Sequence, residues 1–137
     1  MGQIRKVLVA NRGEIAIRVM RACREEGLAS VAVISEGEQD APHARYADEV
    51  VTLVSDRTLP YLDIDAVLQA ATATGADAIH PGYGFLAENA GFAEACANAG
   101  IIFVGPPASA IATMGDKVRA REAARAPIVE ATDRNTS

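Results

Sequence analysis

A chain of 137 residues favours one compact domain, and folding at that size buries roughly two-thirds of the unfolded chain's surface, enough for a real core. Half the residues are apolar, yet there are only three Phe, three Tyr and no Trp, so Ala, Val, Ile and Leu must build that core, as where helices cover a buried sheet. Eighteen acidic residues against thirteen basic ones give a formal charge of −5; with no basic stripe interleaved with aromatics, this argues against a nucleic-acid surface.

Ile4 to Ala10 reads as a buried strand. Its uninterrupted apolar run, Val7 to Ala10, is too short for a signal peptide or a membrane span, which places the chain in the cytosol and off the membrane. Glu14 to Glu26 has helical period and is closed by Gly27. Ser30 to Ser35 is the second strand. A polar connection, Glu36 to Pro42, leads through a helical turn at His43 to Ala47 into a third strand at Glu49 to Val54. Asp63 to Thr74 is helical and stops at Gly75, and Asp77 to His80 is the fourth strand. Asn89 to Asn98 is helical, with Gly100 as its stop, and Ile101 to Val104 is the fifth strand. Ala108 to Met114 and Asp116 to Ala126 are two further helices, and Pro127 to Ser137 has no periodicity and reads as a frayed tail.

Strands separated by helices imply right-handed βαβ units, hence an α/β, Rossmann-like, mostly parallel five-stranded sheet covered on both faces. The first strand is placed centrally, in the order 3-2-1-4-5. Cys23 and Cys96 lie in Ala-rich helical sequence without C-x-x-C spacing, and read as reduced core thiols.

Ligands of open parallel sheets bind beyond the carboxyl ends of the strands. Three Gly- or Pro-rich turns fall there: Asn11-Arg12-Gly13, His80-Pro81-Gly82-Tyr83-Gly84-Phe85 and Gly105-Pro106-Pro107. The first has one glycine rather than G-x-G-x-x-G, which disfavours a nicotinamide or flavin site. His80 has no Ser, Cys or carboxylate beside it in the sense of a nucleophile–base pair, and Glu88-Asn89 read as helix-capping groups. Lys117 stands in the first turn of the last helix, where a cation opposes the helix dipole unless an anion is near; the alternative is a solvated lysine balanced by Asp116. On the first helix, Arg18, Arg21 and Glu25 form one charged stripe opposite Ile15, Val19, Ala22 and Cys23. Such a stripe is either a wet face or a self-complementary surface for a second copy across a two-fold axis.

Ala10 to Ala16 (ANRGEIA), His80 to Asn89 (HPGYGFLAEN), Phe103-Val104-Gly105-Pro106 and Met114-Gly115-Asp116-Lys117 together resemble the biotin carboxylases of acetyl-CoA, acyl-CoA and pyruvate carboxylases. The resemblance runs from about Ile4 to Ala126. It implies a preATP-grasp domain over 1–126, with 127–137 as a truncated tail. It also implies a parent enzyme that uses MgATP and bicarbonate to carboxylate biotin, with partners in an ATP-grasp domain, a biotin carboxyl carrier and a carboxyltransferase. By that resemblance Lys117 is the ATP-phosphate lysine, Tyr83 and Gly84 belong to the wall beside the biotin ring, and Arg18, Arg21 and Glu25 belong to a homodimer interface. Ala87 departs from the serine common in the family. After Lys117 the family's glycine-rich lid, Mg²⁺ ligands and catalytic base have no counterpart, so the isolated chain is expected to be inactive. Two other readings stay open: an interaction protein that dimerises through the Arg18 face, and a small nucleotide-binding module built on Lys117.

Overall fold

The computed structural model describes residues 3–105. Strands β1 (Lys6–Val9), β2 (Ala29–Ile34), β3 (Glu49–Thr52), β4 (Ala78–His80) and β5 (Ile102–Phe103) form one sheet in the order β3-β2-β1-β4-β5. Every pairing is parallel, which agrees with the order read from the sequence. The helices are α1 (Gly13–Glu25), α2 (Pro42–Tyr46), α3 (Ile64–Thr74) and α4 (Ala90–Asn98). Two short 3₁₀ turns, Pro60–Leu62 and Phe85–Glu88, were not foreseen; three or four residues carry too little periodicity to be read.

Alternation along the strands builds two cores. Leu8, Val31, Val33 and Ile79 face α3 and α4 and pack with Val67, Ala71, Phe92 and Cys96. Val7, Val9, Ala32 and Ala78 face the other way, against Ala16, Met20 and Cys23 of α1. Both faces of the central strands are therefore apolar and buried, which is why β1 and β2 read as continuous hydrophobic runs rather than alternating ones.

Acidic residues fix where neighbouring strands begin. The Asp77 carboxylate, just before β4, accepts the backbone N–H groups of Arg5 and Lys6 at 2.9 and 3.0 Å. These two bonds hold its carboxyl below the usual range. Asp48, just before β3, accepts the N–H of Ser30 at 2.9 Å. Helix termini follow the sequence signals closely. Asp63 caps α3 rather than opening it, with its Oδ1 accepting the Ala66 N–H. Asn89 likewise caps α4 through the Phe92 N–H. α1 ends in a tightened turn in which the Leu28 N–H reaches the Cys23 carbonyl at 2.8 Å.

The inner face of α1 differs by part of a turn from the one read in the sequence. Ala16, Met20 and Cys23 are buried, Ile15 and Val19 are half-buried, and Ala22 is exposed. The cause is tertiary: the helix lies over β1 and β2, so its flank toward β4 and β5 is only partly covered. Cys23 and Cys96 are buried free thiols, as expected of core residues. Burial pushes both thiols up, Cys96 to about 11. The expected helices at Ala108–Met114 and Asp116–Ala126 and the tail from Pro127 lie outside the described residues. Among the described residues no helix is long and apolar enough to cross a membrane.

Candidate functional site at the carboxyl edge of the sheet

β1 and β4 are neighbours, but β1 feeds α1 on one face and β4 feeds α4 on the other. Their loops part at this point, and in open α/β sheets such a switch point is where a ligand crevice opens. Here a side chain occupies it. Asn11 is 1% exposed, and its Nδ2 donates to the Pro81 carbonyl at 2.8 Å and the Tyr83 carbonyl at 2.7 Å. Its Oδ1 accepts the Arg12 N–H at 2.8 Å. Both amide hydrogens thus cross the gap, and the oxygen is held by the next residue of its own turn. The two turns singled out in the sequence, Asn11 to Gly13 and His80 to Phe85, are joined into one unit.

The second turn is shaped by its own residues. Gly82 has φ +68°, and a Cβ there would meet Asn11 Nδ2 at 2.7 Å and Ile15 Cγ2 at 2.9 Å. Only glycine combines that backbone with that approach. The Gly82 N–H donates to Nδ1 of His80 at 3.1 Å, so the His80 proton sits on Nε2. Burial holds the His80 pKa below its ordinary value. Phe85 takes φ +46°, a conformation that costs a non-glycine residue roughly 1–2 kcal/mol. Its ring is stacked on Tyr61 with centroids 5.3 Å apart. Between these anchors Tyr83 stands 62% exposed, and beside it a Cβ at Gly84 would meet nothing within 4 Å. The structure therefore presents Tyr83 and Gly84 outward on a braced loop.

A polar cluster flanks this edge on the β2 side. The Arg12 guanidinium pairs with Glu38 at 2.8 Å and lies 5.8 Å from the centre of the Tyr61 ring. Glu38 also accepts the Ser35 N–H at 2.8 Å and the Tyr61 hydroxyl at 3.0 Å. Burial alone would raise the Glu38 pKa, but the Ser35 and Tyr61 hydrogen bonds and the Arg12 charge outweigh it and lower it. Tyr61 is pushed far up by burial and by the adjacent carboxylate. Nε2 of buried His43 lies 3.0 Å from the Val33 carbonyl. The Tyr61 hydroxyl lies 3.0 Å from the same carbonyl, so Val33 and Glu38 compete for its one proton. None of Glu38, His43 and Tyr61 had been singled out in the sequence; they lie 23 residues apart at most in the chain, in three elements without a shared motif.

Arg18, Arg21 and Glu25 are all exposed on α1, as the charged stripe required. Arg18 additionally lines a groove of about 460 Å³ with Ile15, Val19, His80, Tyr83 and Val104. The structure thus brings Arg18 and Tyr83 to one concavity, while Arg21 and Glu25 stay outside its lining. Lys117, Pro106 and Pro107 lie outside the described residues. Among the described residues no group of three or more His, Cys, Asp or Glu is placed to hold a metal ion.

An all-parallel doubly wound sheet whose switch-point crevice is bridged by an asparagine, and whose neighbouring loop displays a tyrosine, defines a Rossmann-like α/β domain without the glycine-rich turn of dinucleotide-binding ones. Comparison with known proteins makes the class specific. The model of the biotin carboxylase N-terminal domain family matches residues 3–111, and the chain belongs to that family. It is 54% identical over 134 residues to the biotin-dependent acyl-coenzyme A carboxylase alpha3 subunit of Mycobacterium leprae, covering 95% of this chain and 22% of that protein. The biotin carboxylase of Pseudomonas aeruginosa is 52% identical, with 95% and 30% covered. Among solved structures, the biotin carboxylase domain of a thermophilic 2-oxoglutarate carboxylase bound to bicarbonate superposes with TM-score 0.81 at 49% identity, covering 88% of this chain and 27% of that one. The complete multifunctional pyruvate carboxylase of Rhizobium etli gives 0.80 at 47% identity, with 88% and 12% covered. The chain spans less than a third of the length of each of these proteins.

Proposed function

We propose that this domain serves an ATP-dependent carboxylation of biotin, in which MgATP and bicarbonate are consumed and carboxybiotin is formed. The observation that carries the proposal is the braced 80–85 loop, which displays Tyr83 and Gly84 at the carboxyl edge of a domain belonging to the biotin carboxylase family. Tyr83 and Gly84 form part of the wall beside the biotin ring. An exposed phenol ring next to an open glycine fits a ligand with a planar ureido ring, because the phenol offers a face and a hydroxyl while the glycine lets the ligand approach the backbone. Lys117 contacts the phosphates of ATP. Arg18, Arg21 and Glu25 form a face for a second copy, a role supported by their common exposure on α1 and by the mixture of signs. The ATP-grasp domain, biotin carrier and carboxyltransferase act as partners, and the reaction takes place in the cytoplasm.

Phosphoryl transfer depends on phosphate and metal positioning, and on this reading the chain supplies only part of it and is inactive alone. Bicarbonate-dependent ATP hydrolysis, measured for the chain alone and after mixing with a biotin carboxylase lacking its own N-terminal domain, tests this reading. Activity only in the mixture, lost with Lys117→Ala, supports it. Hydrolysis by the chain alone, or none in a mixture that forms a complex, overturns it.

A further inference from the structure

Asn11 does more than fill a gap. In an open parallel sheet the crevice between β1 and β4 is where backbone amides are normally left free to meet a ligand. Here both Nδ2 hydrogens of a side chain 1% exposed cross that crevice to carbonyls of Pro81 and Tyr83. Gly82, between those two acceptors, leaves no room for a Cβ against Asn11 and Ile15. The loop is therefore held at three successive residues from one side, while its other side presents Tyr83 and Gly84 to solvent.

We propose that Asn11 is a positioning residue: it closes the switch-point crevice and locks the 80–85 loop so that Tyr83 and Gly84 meet a ligand in one fixed orientation. Such fixing matters because a site held within a fraction of an ångström by neighbouring groups binds without first ordering itself. The proposal rests on the reading of Tyr83 and Gly84 as a ligand wall, and its test separates the two.

Amide hydrogen exchange on the full chain reads the lock. In Asn11→Ala the amides of Gly82 and Ala87, which donate to His80 and to the Gly84 carbonyl, exchange about 10- to 100-fold faster, as expected for two lost hydrogen bonds. Core amides of β2 keep their protection. Asn11→Asp gives a sharper signature. At neutral pH its carboxylate has no proton to donate to two facing carbonyls, so the loop opens as in the alanine variant. As the carboxyl protonates it can donate one bond, and protection of the Ala87 amide partly returns. A side chain that only filled space would leave Asn11→Asp like the wild type at every pH. Unchanged exchange at Gly82 and Ala87 in both variants, with the fold intact, overturns the lock. Biotin added to the wild-type chain should shift the Tyr83 and Gly84 amide resonances, and should do so less in Asn11→Ala. Faster exchange in the variants with no biotin shift in the wild type would retain the lock and overturn the biotin-wall reading.

Discussion

The hydroxyl of Tyr61 and the carboxylate of Glu38 lie 3.0 Å apart beneath the carboxyl edge of the sheet, and Arg12 closes over both. The pair links the 3₁₀ turn after β3 to the connection after β2, and through Arg12 to the turn that carries Asn11. Tyr61→Phe removes the donor and leaves the ring packed. The expected loss is about 1–2 kcal/mol, measured by urea unfolding with an unchanged m-value. A loss within error of zero would show that water replaces the phenol at no cost.

Glu38 also makes stability depend on pH. Its folded pKa lies below the unfolded one, so its contribution is fully present above an unfolded value of about 4.3 and is lost as pH falls through the folded value. Glu38→Gln should therefore lower the neutral plateau of a plot of Tm against pH and flatten its acid limb, so that the two proteins converge at low pH. Parallel acid limbs for the two proteins would count against the pairing with Arg12 and Tyr61.

His80 acts in the same direction at higher pH. Burial lowers its folded pKa below the unfolded value of about 6.5, so the unfolded chain takes up the proton first. Its contribution is complete above about 6.5 and declines as pH falls below it. In a proton NMR titration the His80 ring should show its midpoint below about 6.5. A midpoint above that value would mean that the ring is not held out of water as its burial requires.

Gly82 and Gly75 share a left-handed backbone, with φ +68° and +72°, but differ in their surroundings. A Cβ at Gly75 meets nothing within 4 Å, whereas one at Gly82 would press on Asn11 and Ile15. Gly75→Ala should cost about 1 kcal/mol from the backbone alone. Gly82→Ala should cost more, by about 1–3 kcal/mol of overpacking. Equal losses in thermal unfolding would mean that the loop relaxes away from Asn11 freely.

Cys96 is fully buried on α4, and burial lifts its thiol to about 11. The native chain should react with a thiol reagent at neutral pH only at the rate of transient opening, and both cysteines should react at once in denaturant. Rapid native modification of Cys96 would show that α4 opens locally.

How much of this was legible beforehand follows from how far each interaction reaches along the chain. Strand order, the helix stops and the exposed stripe Arg18, Arg21 and Glu25 were readable because apolar runs, Gly and polar caps act within a turn or a strand. Family resemblance identified the 80–89 segment, since four short motifs in register carry more information than any one of them. The inner face of α1 was misjudged at Ala22, because the sheet covers that flank of the helix only in part.

The sequence by itself thus determined the alternating α/β architecture, the order of the parallel strands, the buried thiols and the family. Tertiary structure alone decided that Asn11 reaches across 70 and 72 residues to the Pro81 and Tyr83 carbonyls, and that Tyr61 reaches Glu38 and Arg12. It also decided that Arg18 shares a groove with Tyr83. The physical reason is one of range. Local propensity is set by residues three or four positions apart, but a hydrogen bond between distant segments exists only once the sheet has brought its strands about 5 Å from one another.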